Sequence, residues 1–262
     1  MRNRTVALLL SLVVALTLAG CGGSDASGAG SGGSSDKETG TLNVLAAASL
    51  TETFTSLAKD FEAAHPGVTV KLAFDSSATL AEQVTQGAPA DVLATADEAT
   101  MQTVVDAGGT EGDPQLFATN HLQMVVPKDN PANIRQFSDL EKPGVKYVVC
   151  VDSAPCGKLA AKVLAATGIK AKPASEEVDV KAVLSKVELG EADAGLVYAT
   201  DAVAGDDLVK PIDIPTSNEN LNSYPIAALA DAKKPGLAKE WVDLVTGAQG
   251  QQALAVAGFG KP

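Results

Sequence analysis

From Thr41 onward the chain alternates short apolar runs with stretches in which apolar residues recur three or four positions apart. The run TLNVLAAAS has strand character and stops at Ser49. Ser49-Leu50-Thr51-Glu52 then has the form of a capping box, and Leu50, Phe54, Leu57, Ala58 and Phe61 mark one face of a helix that Pro66-Gly67 ends. A second strand, VTVKLAF, leads through FDSSATL into a helix carried by Leu80 and Val84 as far as Gly87. A third, DVLATA, precedes a helix through Met101, Val104 and Val105. Strand and helix thus alternate three times, the pattern of a parallel sheet covered by helices.

The second half uses the same alternation with different details. HLQMVVP reads as a strand able to cross between lobes, and VKYVVCVD as a buried strand. Leu159, Val163 and Leu164 form the inward face of a helix that starts near Cys156 and ends at Gly168. Another helix starts around Asp179-Val180, turns Val183, Leu184 and Val187 inward and closes at Gly190; the strand AGLVYAT follows. Beyond VKPIDIP come the strand-like SYPIAAL and helices around Trp241 to Val245 and Gln251 to Ala255, which a second crossover returns to the first lobe. The expected fold is α/β with two lobes, each a mostly parallel sheet flanked by helices, joined by two crossover connections. Lobe 1 takes residues 41–120 and 216–262, and lobe 2 takes 121–215.

The N-terminal segment follows other rules. Arg2 and Arg4 precede an uncharged run from Val6 to Leu18, too short for a membrane span and the right length for a signal-peptide core. Leu18-Ala19-Gly20-Cys21 resembles the lipobox of bacterial lipoproteins, so residues 1–20 are expected to be cleaved and Cys21 to carry lipid at the outer face of the cytoplasmic membrane. The remainder of 21–40 is mostly Gly, Ser, Ala and Asp, which buries too little apolar surface to order itself and reads as a flexible tether. The formal charge is -12, and losing Arg2 and Arg4 makes the mature chain more negative. That balance excludes a nucleic-acid partner, which needs a basic face.

Candidate chemistry gathers where strands end and helices begin, the usual place for ligands in such sheets. Ser49, Ser77, Cys156 and Val180 mark four uncharged helix starts, each offering unpaired backbone N–H groups and the positive end of a helix dipole. Together they would cage an anion. Asp75, Asp91 and Asp97 read as turn and capping residues, Ser76 as a turn residue, Asp201 as ordering the loop beyond Tyr198, and Lys158 as a solvated charge. Cys150 and Cys156, six apart, are expected to form a disulfide in an oxidising compartment. The alternative is a reactive Cys156 thiol at a helix start, for which neither His65 nor His121 is an obvious base. With only two histidines a zinc cluster is not expected, and no residue is assigned to a metal cation.

AAASLTETF, SSATLAEQVTQGAPADVLATAD, APCGKLAAKVL and GEADAGLVYATDAV occur in order across nearly the whole mature chain. In them the chain resembles the periplasmic molybdate-binding proteins of ABC transporters, which have the type II periplasmic-binding-protein fold. The resemblance implies a non-enzymatic, monomeric protein without a cofactor. It would capture molybdate, and tungstate equally, between its lobes and deliver it to a membrane permease. It further implies that Ser49 and Ser77 each give a hydroxyl and an amide, Cys156 and Val180 an amide each, and Tyr198 a phenolic O–H. The family usually has a small residue where Cys156 stands, and a bridge to Cys150 would stiffen that loop. Two alternatives remain open: a binding protein for another anion such as sulfate or phosphate, and a thiol enzyme using Cys156.

Overall fold

The computed structural model describes residues 38–262, so the expected signal peptide of 1–20, Cys21 and most of the expected 21–40 tether lie outside the described residues. In chain order the elements are β1 Gly40–Ala47, α1 Thr51–Ala64, β2 Val68–Asp75, α2 Ser77–Thr85, β3 Val92–Ala94, α3 Glu98–Asp106, β4 Gln115–Asn120 and β5 Leu122–Pro127. They continue as β6 Tyr147–Cys150, α4 Pro155–Thr167, β7 Ser175–Glu177, α5 Val180–Glu188, β8 Ala194–Tyr198 and α6 Ala199–Ala204. The last are β9 Val209–Ile212, β10 Asn222–Ala228, α7 Pro235–Thr246 and α8 Ala248–Val256.

Two five-stranded sheets result, with strand orders β2-β1-β3-β10-β4 and β7-β6-β8-β5-β9. Each is mixed. In the first, β1 runs parallel to β2 and β3, while β10 is antiparallel to both β3 and β4. In the second, β6 runs parallel to β7 and β8, and β5 is antiparallel to β8 and β9. The parallel pairing expected of strands joined by helices is found for β1, β2 and β3 and for β6, β7 and β8. One strand is reversed in each sheet, β10 in the first and β5 in the second, and each follows the strand before it across a crossover with no α-helix between them. Only His121 separates β4 from β5, so one crossover is a near-continuous chain passing from one sheet to the other. The return runs from β9 to β10 through a short 3-10 turn at Ser217–Glu219.

Successive residues of β1 serve opposite faces, as a pleated strand requires. Leu42, Val44 and Ala46 join the cluster of Phe54, Leu57 and Phe61 from α1, whereas Leu45 joins Leu80, Ala81, Met101 and Val104 from α2 and α3. Helices therefore cover both faces, and the strand is apolar from Val44 to Ala47. The C-terminal helices close the α1 face: buried Trp241 of α7 packs edge-on against Phe54 at 5.6 Å and Phe61 at 5.5 Å between ring centroids. Edge-to-face pairs of this kind suit the ring quadrupole.

Candidate functional site

Two adjacent strands of one sheet and three of the other end at one place. Ser49 lies in a short 3-10 turn, Ala48–Leu50, directly after β1, and Ser77 is the first residue of α2 after β2. From the other sheet, Cys156 is the second residue of α4 after β6, Val180 the first of α5 after β7, and Tyr198 the last of β8. All five line a single cavity between the sheets, together with Ala96, Asp75 and Asp179. None of the five is more than 4% exposed, so the lobes are closed over it. The space is small and leaves no room for a larger organic solute.

The walls are donors. Ser77, Cys156 and Val180 sit in the first turns of α2, α4 and α5, where backbone N–H groups have no acceptor within their own helix. Those helix dipoles converge with their positive ends on the cavity. The Ser77 hydroxyl accepts the Ala96 N–H at 2.9 Å, leaving its proton free to donate inward. Asn222 Nδ2 donates to the Tyr198 oxygen at 2.8 Å, and burial holds the Tyr198 phenol well above its ordinary pKa, so it stays protonated. The two lining carboxylates are engaged by backbone donors: Asp75 accepts the Ser76 N–H at 2.6 Å, and Asp179 caps α5 by accepting the Ala182 N–H at 2.9 Å. No Lys or Arg lines the cavity. It offers hydrogen bonds to a negative charge without opposing it with a cation.

Three sequence expectations are corrected. Ser49 is not the Ser of a capping box: a 3-10 turn intervenes, Leu50 occupies the N-cap of α1, and no side chain caps it. The Ser49 hydroxyl instead pairs with the Tyr224 hydroxyl at 3.0 Å, across 175 residues of chain. Lys158 is not a purely solvated charge, because its ammonium meets Asp97, the N-cap of α3, at 3.1 Å. The reactive-thiol alternative loses its thiol, since Cys150 and Cys156 are bonded, with their Cα atoms 5.7 Å apart.

Sequence reasoning missed Lys181, Asn222 and Tyr224. Lys181 of α5 reaches Glu52 of α1 at 2.8 Å and the fully buried Asp201 at 3.1 Å, so it joins the lobes beside the cavity. Burial pushes the Asp201 carboxyl up to about 6, against the pull of the Lys181 ammonium. Burial also disfavours the Lys181 charge, but Asp201 and Glu52 outweigh it and hold the ammonium above its ordinary pKa. The pair is therefore ionised at neutral pH. Asp201 also accepts the Tyr198 N–H at 3.3 Å, as expected of a residue that orders this turn. In the GAPADVLATAD stretch, buried Asp91 ties the Asn43 N–H, at 2.7 Å, to the turn at Lys233 and Lys234, which fixes β3 and hence Ala96 beside Ser77.

Two lobes, two crossings and a closed, donor-lined cavity between them define a solute-binding protein of the two-lobed class. The chain belongs to the family of bacterial extracellular solute-binding proteins, whose model matches residues 42–260. It is 42% identical to molybdate-binding protein ModA of Mycobacterium tuberculosis, over 99% of this chain and 100% of that one. Its fold matches the periplasmic molybdate-binding protein of Azotobacter vinelandii with a TM-score of 0.74 at 21% identity, covering 84% of this chain and 99% of that chain. The sulfate-binding protein SubI of Mycobacterium tuberculosis matches equally in fold, with a TM-score of 0.74 at 21% identity over 85% of this chain and 86% of that one. The protein accordingly works outside the cytoplasm as the binding component of a transport system, and no catalytic activity is indicated.

Proposed function

We propose that this protein captures molybdate, and tungstate with it, between its lobes and presents it to the membrane permease of an ABC transporter. The observation that carries the reading is the convergence of Ser49, Ser77, Cys156, Val180 and Tyr198 on one buried cavity that holds donors and no cation. In it the Ser49 and Ser77 hydroxyls and amides, the Cys156 and Val180 amides and the Tyr198 O–H bind the oxyanion directly. A relative named as a molybdate-binding protein, 42% identical over 99% of the chain, supports the choice of ligand. Lobe 1 corresponds to 41–120 and 216–262 and lobe 2 to 121–215. Residues 1–20 act as a signal peptide, and Cys21 carries the lipid that anchors a monomer through the 21–40 tether.

Capture follows from the physics of the cavity. Open lobes admit a hydrated dianion, and closure exchanges its water for fixed dipoles whose attraction strengthens as the dielectric falls. The Lys181–Glu52 and Lys158–Asp97 pairs each join elements on opposite sides of the cleft and hold the closed form. Isothermal titration of the mature domain with molybdate, tungstate, sulfate and phosphate tests the reading. Tight binding of molybdate and tungstate, with sulfate and phosphate far weaker, is expected. Tight sulfate binding with none of molybdate would replace the ligand, and no binding of any would return the serines to being helix-start residues.

A further inference from the structure

Strand β10 carries two polar residues, Asn222 and Tyr224, that a pleated strand turns to the same side. Both reach the hydroxyls of the cavity, although neither is among the residues that line it. Tyr224 pairs with Ser49 on one side, and Asn222 with Tyr198 on the other. The direction of the Asn222 bond is set by its second contact. The same Nδ2 faces the Pro155 carbonyl at 3.4 Å, and a carbonyl can only accept. The amide nitrogen therefore points at Tyr198, and the phenolic oxygen is an acceptor in this bond.

That polarity has a consequence for what the cavity can hold. A phenol has one proton, and with its oxygen already receiving a bond from Asn222 that proton is left to donate, to an anion in the cavity or, in its absence, toward the neighbouring Tyr224 hydroxyl. Ser77 is placed in the same way by the Ala96 N–H. Resting on the oxyanion reading above, we infer that Asn222 is a specificity-determining residue of the site. By donating to Tyr198 it makes the phenol an obligate donor, so the cavity accepts an anion with a bare oxygen at that position and rejects one that must itself donate a proton there. Asn222 acts through Tyr198 and touches no ligand, so it is a positioning residue.

The test uses two tetrahedral dianions at pH 8: molybdate, which carries no proton, and hydrogen arsenate, which carries one. Titration calorimetry is run on the unaltered protein, Asn222→Ala, Tyr198→Phe and the double variant. Without the amide, Tyr198 is free to turn its oxygen toward a ligand O–H. Asn222→Ala should weaken molybdate about tenfold while leaving hydrogen arsenate unchanged or stronger, so the preference narrows by at least that factor. In the Tyr198→Phe background the same change should alter either anion by less than about twofold, because the group it orients is gone. Asn222→Asp, of nearly equal shape, keeps the test valid should the alanine variant unfold: a carboxylate draws the phenolic proton away, and molybdate should weaken more than with alanine.

Equal weakening of both anions by Asn222→Ala, or an undiminished loss in the Tyr198→Phe background, would overturn the assignment while leaving the oxyanion site standing. An unaltered protein that binds neither anion would overturn the site itself and this inference with it.

Discussion

Replacing Ser77 with Ala isolates the chemistry of the cavity better than any other single change. The side chain is 1% exposed, its oxygen accepts the Ala96 N–H at 2.9 Å, and its proton is free to donate to the ligand. Removing a hydrogen bond to a charged group costs about 1.5–3 kcal/mol, which raises Kd by roughly ten- to a hundredfold. The same deletion leaves the Ala96 N–H buried without its partner, at a cost of about 1–3 kcal/mol in the empty protein. For a domain of this size each kcal/mol lowers Tm by about 2–4 °C, so the variant should melt several degrees early. The neighbouring Ser76 provides the control. It occupies the N-cap of α2 but its side chain caps nothing, and its amide is taken by Asp75. Ser76 also borders the cavity, but its hydroxyl is outside the proposed ligand set, so Ser76→Ala should leave Kd within about threefold. Calorimetric titration of both variants with molybdate decides the matter. A Ser77→Ala affinity within threefold of the unaltered protein, or losses of equal size in the two variants, would refute the assignment of the Ser77 hydroxyl to the ligand.

Other expectations follow from the residues around the cavity. Lys181→Met strands the buried Asp201 carboxylate, a loss of about 3–5 kcal/mol at pH 8 that shrinks at pH 5, where Asp201 is protonated; thermal melts at the two pH values check this. Because the Asp201 carboxyl is raised from 3.8 to about 6, between those values the folded state binds more protons than the unfolded one, and this group makes stability fall as pH rises. Asp201→Asn should flatten that part of the Tm-against-pH curve, and parallel curves would contradict the assignment. Reducing the Cys150–Cys156 bridge, which closes a loop six residues long, should cost about 2 kcal/mol of stability and weaken ligand binding through the displaced Cys156 amide; denaturant melts and titrations with and without reductant measure both. Gly157→Ala should be more damaging still, because the added Cβ would sit 1.9 Å from the Val151 carbonyl oxygen, and little folded protein should be recovered on expression.

Which parts of this were legible in the chain depends on the range over which each signal acts. The starts of α2, α4 and α5 follow from local pattern, an apolar run, a small or capping residue and a helical repeat, and those starts carry three of the five cavity residues. Ser49 reaches the cavity without the capping box its local pattern suggests, and its hydroxyl bonds Tyr224 on a strand no local pattern links to it. Strand β10 reads as SYPIAAL, apolar and plainly a strand, and nothing in that phrase marks Tyr224 or the preceding Asn222 as serving a cavity. Lys158 and Lys181 look like ordinary helix-surface charges until folding brings Asp97 and Glu52 against them. The strands β4 and β9 lack a distinct repeat of their own: Gln115–Asn120 is half polar and Val209–Ile212 is broken by Pro211, so their pairing is set by their neighbours.

The missing counter-charge in the cavity makes loading visible from a distance. A dianion held by amides and hydroxyls keeps its full charge, so the occupied protein is two units more negative than the empty one while its surface groups are unchanged. On a chain already at -12 this difference separates the two forms by migration in a native gel or by elution from an anion exchanger. Release is governed by the same arrangement: once the Lys181–Glu52 and Lys158–Asp97 pairs give way and the lobes part, water replaces the dipoles and no ion pair to the cargo itself has to be broken.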